Sequence, residues 1–101
     1  LPILMGGLRG RMFRTEDEGE TWTVVEKPPT SALVALIRRA DDSLVAGGVA
    51  GEILVSNDDG MSFTMAPSSF SAGPIFDLTS GAGNSLLIAG PKGIKSAALS
   101  Q

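Results

Sequence analysis

The side chains able to do chemistry in this chain are few, and their types restrict what that chemistry can be. There is no histidine, cysteine or tyrosine among the 101 residues. The commonest general base, the commonest metal ligand, thiolate nucleophiles and a phenolic acid are therefore missing. Carboxylates remain. Asp41, Asp42, Asp77 and Glu52 are candidates for the paired acid and base of glycoside hydrolysis. Aspartates next to turn residues more often hold the turn itself, and these are read that way. Thr15 to Glu20 and Asn57 to Asp59 are acidic stretches, but calcium wants about six to eight oxygens from a spaced loop, and neither has that spacing. Gly90-Pro91-Lys92-Gly93-Ile94-Lys95-Ser96 superficially resembles a phosphate-cradling loop. Ile94 stands where that loop needs glycine, and too little chain follows for its helix, so a glycine-bearing hairpin turn is expected. Arg9, Arg11 and Arg14 lie beside Glu16, Asp17, Glu18 and Glu20, which reads as a solvated hairpin with weak cross-strand ion pairs. No catalytic group, metal site or cofactor is expected.

What must position these side chains is a repeat. Leu4 to Thr23 aligns with Val45 to Thr64 without a gap. Gly6, Gly7, Gly10, Asp17, Gly19 and Thr23 fall on Gly47, Gly48, Gly51, Asp58, Gly60 and Thr64, and Trp22 falls on Phe63. A third copy starts and decays: Ile75 to Thr79 resembles Val34 to Arg38, and Leu86 to Gly90 resembles Leu44 to Gly48. A period near 40 residues, built from short apolar runs and glycine turns, is a propeller signature. Terminal repeats are atypical, so the segment reads as a C-terminal portion that begins at Leu1 rather than at a methionine.

Each full repeat reads as four strands. In the central one they are Leu33 to Arg38, Leu44 to Val49, Glu52 to Ser56 and Ser62 to Ala66, with Pro67 ending the last. Asp41-Asp42 and Asn57-Asp58-Asp59-Gly60 are the turns, and Gly47-Gly48 marks a place where side chains would crowd. Ala32, Leu33, Leu36, Ile37 and Ala40 also fit helical spacing, with Ser31 as a cap. The repeat decides for a strand, because Ile75 to Thr79 holds the same place and is too short for a helix. The expected fold is all-β: a partial β-propeller of about two and a half four-stranded antiparallel blades. Residues 1–29 form a partial blade, 30–70 a full blade and 71–101 a partial terminal blade.

The most specific motif is Thr15-x-Asp17-x-Gly19-x-Thr21-Trp22, repeated as Ser56-x-Asp58-x-Gly60-x-Ser62-Phe63. It resembles the Asp-box, or BNR repeat. With its flanking residues it is similar to the photosystem II assembly/stability factor-like propellers, whose last blade "LLIAGPKGIKS" also resembles. Members of that family carry seven blades. The resemblance implies structural roles for Thr15, Asp17, Gly19, Trp22, Ser56, Asp58, Gly60 and Phe63. The aspartates accept backbone N–H groups across the turn, glycine supplies a positive φ, and the aromatic ring anchors the hairpin against the next sheet. Sialidases also carry Asp-boxes, but their site needs a tyrosine nucleophile, which this chain lacks.

A non-catalytic protein-interaction or assembly scaffold is the expected function, with a carbohydrate-binding or glycosidase-derived module as the alternative. Sugar binding needs exposed aromatic platforms. Phe13, Trp22 and Phe63 are expected between blades, which leaves Phe70 and Phe76. The net charge of −3 lacks the basic footprint of a nucleic-acid binder. No apolar run approaches the roughly 18 residues of a membrane span. An open stack of blades exposes an apolar face at each end, so a small closed homo-oligomer is expected beside an unknown protein partner.

Overall fold

The computed structural model describes residues 3–7, 9–67, 69, 73–81, 85–91 and 93–98. Among these there is no helix; the chain forms ten strands in three antiparallel sheets. Sheet 1 runs β1 (Ile3–Gly6), β2 (Met12–Thr15), β3 (Thr23–Val24). Sheet 2 runs β4 (Leu33–Arg38), β5 (Leu44–Gly48), β6 (Ile53–Ser56), β7 (Thr64–Met65). Sheet 3 contains β8 (Asp77–Ser80), β9 (Ser85–Gly90) and β10 (Gly93–Ala98), in spatial order β10-β9-β8. Every sheet is a meander, because each connection is short enough for consecutive strands to pair. The segment that also fits helical spacing, Leu33–Arg38, is a strand. The last strand of each repeat is shorter than expected: Thr64–Met65 replaces Ser62 to Ala66. β8 starts two residues later than expected. Ile75 precedes it and is buried, its N–H donating to the Val49 carbonyl at 3.1 Å.

The sheets stack face to face, with sheet 2 in the middle. Opposed pairs on β5 and β6 put Leu44, Ala46, Leu54 and Ser56 on one face, and Val45, Gly47, Ile53 and Val55 on the other. The first face meets Met12 and Val25 of the sheet 1 unit and also holds Phe63. The second meets Ile75, Leu78, Leu86 and Ile88 of the sheet 3 unit. This explains why β5 and β6 read as continuous apolar runs rather than alternating ones: both faces are buried along their whole length. β4, by contrast, alternates between half-buried and exposed residues. Its Ala35 and Ile37 pack toward sheet 3. Gly47 lies in the second seam, close to Leu78. A Cβ there would lie 2.7 Å from Leu78 Cδ1, so a side chain at this position would force Leu78 to shift.

Candidate functional site

The two motif copies form turns of the same construction. In the second, β6 ends at Ser56, whose hydroxyl donates to Asp58 Oδ1 at 2.7 Å and accepts the Gly60 N–H at 2.9 Å. Asp58 Oδ1 accepts the Ser62 N–H at 3.0 Å, and Oδ2 accepts the Ser62 hydroxyl at 2.5 Å. In the first, Thr15 donates to Asp17 Oδ1 at 2.6 Å and accepts the Gly19 N–H at 3.1 Å. Asp17 accepts the Thr21 N–H at 2.9 Å and the Thr21 hydroxyl at 2.5 Å. Both carboxylates are thus occupied by their own turns. The hydroxyls of Thr15 and Thr21, with the Thr21 N–H, lower the Asp17 carboxyl to a pKa of about 2. The hydroxyls of Ser62 and Ser56, with the Ser62 N–H, do the same to Asp58. Hydrogen bonds to the charged form are the cause in both. Such acids stay ionised at neutral pH and have no proton to give.

The backbone of each turn takes two consecutive left-handed residues: Glu18 and Gly19 at φ 60° and 94°, Asp59 and Gly60 at φ 62° and 86°. Glycine carries the second at little cost. The motif does not announce the first, which falls on Glu18 and Asp59.

The aromatic residues part company. Phe63 is 3% exposed and packs with Met12, Val25, Leu44, Ala46 and Leu54 in the seam between sheets 1 and 2. Trp22 was expected in an equivalent seam and is instead 39% exposed, its indole N–H donating to the Gly19 carbonyl at 3.0 Å. Phe13 also lies outside a seam: its register partner is Met5, on the face of sheet 1 turned away from sheet 2. The physical reason is one of neighbours. Sheet 1 lies on one side of sheet 2, and no described sheet occupies the corresponding side of sheet 1.

Three links were not read from the sequence. Arg14, expected in a solvated hairpin, is buried; its Nε donates to the Asp59 carbonyl at 3.0 Å, and its Nη1 lies 3.1 Å from Glu16. The Phe63 N–H donates to the Glu26 carbonyl at 2.9 Å. The second turn therefore also latches sheet 2 to sheet 1. The third link is Glu52, which turns inward and accepts the Ser31 N–H at 2.5 Å and the Ser31 hydroxyl at 2.7 Å. Burial would raise its carboxyl pKa, but these hydrogen bonds outweigh burial and hold it below the ordinary value. Arg14 was legible in part: it sits two residues from Met12 on one strand, hence on the same face.

The other candidate carboxylates are not gathered into a site. Asp41 accepts the N–H and hydroxyl of Ser43 at 3.0 and 2.6 Å within the β4–β5 turn, and Asp42 is a left-handed turn residue at φ 68°. Asp77 accepts the Leu78 N–H at 2.9 Å. It lies on the outer face of sheet 3, whereas Glu52 is spent on Ser31. A strand, not a helix, follows at Gly93, so the 90–96 segment is a hairpin; Lys92 lies outside the described residues. Phe76 is exposed, and Phe70 lies outside the described residues. Among the described residues no group of acidic side chains is arranged to hold a metal ion, and no helix is long and apolar enough to cross a membrane. No family model, curated protein or solved structure matches the chain.

Proposed function

We propose that the chain is a non-catalytic protein-interaction or assembly scaffold of the Asp-box propeller type, comprising about two and a half blades. The observation that carries this reading is the pair of matching turns at 15–22 and 56–63, whose carboxylates are consumed by their own backbone and hydroxyls. Three of the roughly four acceptor positions of each carboxylate are already taken by its own turn, which favours a structural role over a catalytic one. The order of strands supports incomplete blades at both ends. Among the described residues no strand lies beside β1 as β4 lies beside β5. A groove of about 210 Å³ lined by Leu4, Met12, Leu33, Val34 and Leu36 marks that place. The alternative, a carbohydrate-binding or glycosidase-derived module, draws on the exposed ring of Phe76. A glycan array run with the whole chain separates the two. The scaffold reading expects no glycan signal, together with capture of a protein partner by cross-linking. Saturable glycan binding abolished by Phe76→Ala would replace it with the alternative.

A further inference from the structure

The repeat states which residues each sheet offers to its neighbours, and the two internal seams show what happens when the neighbour is present. Toward the preceding sheet, sheet 2 presents Leu44, Ala46 and Leu54, all buried against sheet 1. The same repeat positions in sheet 1 are Ile3, Met5 and Phe13. Met5 is 51% exposed, whereas Ala46 is 0%. Toward the following sheet, sheet 2 presents Val45, Ile53 and Val55, buried against sheet 3. The strand register gives Leu87, Ile94 and Ser96 as their counterparts in sheet 3, since Leu87 faces Ser96 as Val45 faces Val55. Ile94 is 75% exposed, whereas Ile53 is 1%. One end of the stack thus carries one half of a seam, and the other end carries the complementary half. Both internal seams are built from these two halves in the same order.

From this we propose that two copies of the chain associate head to tail, the outer face of sheet 3 of one copy packing on the outer face of sheet 1 of the next. The contact continues the internal seams: Leu87 and Ile94 of one copy are set against Ile3, Met5 and Phe13 of its neighbour. It is heterologous, since unlike faces meet, and it closes into a ring when the rotation per copy allows. A second copy is the occupant the repeat favours, because each copy carries both complementary halves. The proposal rests on the scaffold reading and gives it a partner and a surface.

The experiment exploits the asymmetry. Met5→Glu spoils only the head and Ile94→Glu only the tail, and both residues are exposed in the single chain, so neither substitution burdens its fold. A far-UV circular dichroism melt checks this, with Ile94→Lys and Val24→Lys as second variants, Val24 being the exposed register partner of Phe13 on the head face. Light scattering coupled to size exclusion is expected to give the wild type a multiple of 10.4 kDa, and each variant alone 10.4 kDa. Mixing the two variants restores one sound contact, so a one-to-one pair with twice the single-chain mass forms and grows no further. Association that survives either substitution alone means like faces meet, and overturns the head-to-tail arrangement. A wild type that remains a single chain at every concentration overturns self-pairing while leaving the scaffold reading standing. Glycan binding removes the scaffold reading and leaves the mass measurements unaffected.

Discussion

Replacing Phe63 with alanine tests whether the two aromatic positions differ as their surroundings say they do. The ring is 3% exposed and stands among Met12, Val25, Leu44, Ala46 and Leu54, contributed by two sheets. Neighbours fixed in two separate sheets cannot collapse readily into the vacated space, so the cost should fall within the range for buried aromatics, about 3–5 kcal/mol. Against a total stability of roughly 5–15 kcal/mol for a domain of this size, that is a large share. Trp22→Ala removes a larger ring that keeps 39% of its exposure and gives up one hydrogen bond, to the Gly19 carbonyl. It should cost less, about 2–3 kcal/mol, from partial area and one exposed bond with no enclosed cavity left behind. Urea unfolding followed by far-UV circular dichroism measures both. The midpoint should move at constant slope if only stability changes. The measurement belongs at high dilution, where head-to-tail association would not add to the apparent stability of the wild type. If Trp22→Ala proves as costly as Phe63→Ala under those conditions, Trp22 is buried against something, and the one-sided covering of sheet 1 is wrong.

The remaining expectations are simpler. Asp58→Ala should cost about 1–3 kcal/mol, because it strips partners from the Ser62 N–H and two hydroxyls in a half-buried turn; Asp17→Ala, in the more exposed turn, should cost less, and paired urea titrations rank them. Both aspartates are depressed in the folded state from the ordinary 3.8 to about 2. Their contribution is therefore complete above pH 4 and lost as the pH falls through about 2. Thermal melts should fall over that window, and by less in the double Asp17→Asn, Asp58→Asn variant. Gly47→Ala should destabilise by roughly 1–3 kcal/mol through overpacking, since the new methyl would meet Leu78; a neutral result in chemical denaturation would mean that the seam between sheets 2 and 3 is looser than drawn. Glu52→Ala should cost about 2–3 kcal/mol by removing a charged acceptor from the Ser31 N–H and hydroxyl, with Glu52→Gln milder, measured the same way.

Much of the local structure was legible because it is written in short-range rules. The turn residues at Asp58 to Gly60, the glycine pair at Gly47 and Gly48, and the apolar run of Leu33–Arg38 each constrain the backbone within a few positions. The repeat settled the one ambiguous case, that run's helical spacing, by comparison rather than by propensity. Strand ends were less legible. The outer strands shrink to two residues because the N–H groups before them are committed elsewhere: in the second repeat that of Ser62 to Asp58 and that of Phe63 to the Glu26 carbonyl, which leaves Thr64 and Met65 to pair with β6. The burial of Arg14 is only partly legible for a related reason. Its charge reads as surface, and only the fact that β2 places residues 12 and 14 on one face reverses that reading.

Trp22 and Phe63 show where reading a repeat stops. Their local sequences match, and their turns make the same hydrogen bonds atom for atom. Yet one ring is buried and the other half exposed. Nothing within the turn decides this, since hydrogen bonds of that kind close over fewer than ten residues and need no neighbouring sheet. Burial is decided one layer away, by whether a sheet stands on the preceding side. A repeat therefore fixes the face that each sheet presents but not whether the face is met. For stacked sheets, stability is close to a sum of unit terms and nearest-neighbour terms. Sheet 2 collects two neighbour terms, and sheets 1 and 3 collect one each. The same accounting implies an uneven order of unfolding. Amide exchange should be slowest on β5 and β6, which are covered on both faces. It should be faster on β1 and β10, which form the open edges of the terminal sheets. Protection that rises at β1 and β10 with protein concentration, while β5 and β6 remain unchanged, is what a head-to-tail neighbour would add. Uniform exchange across all three sheets would show that the stack unfolds as one cooperative unit, against this layer-by-layer account.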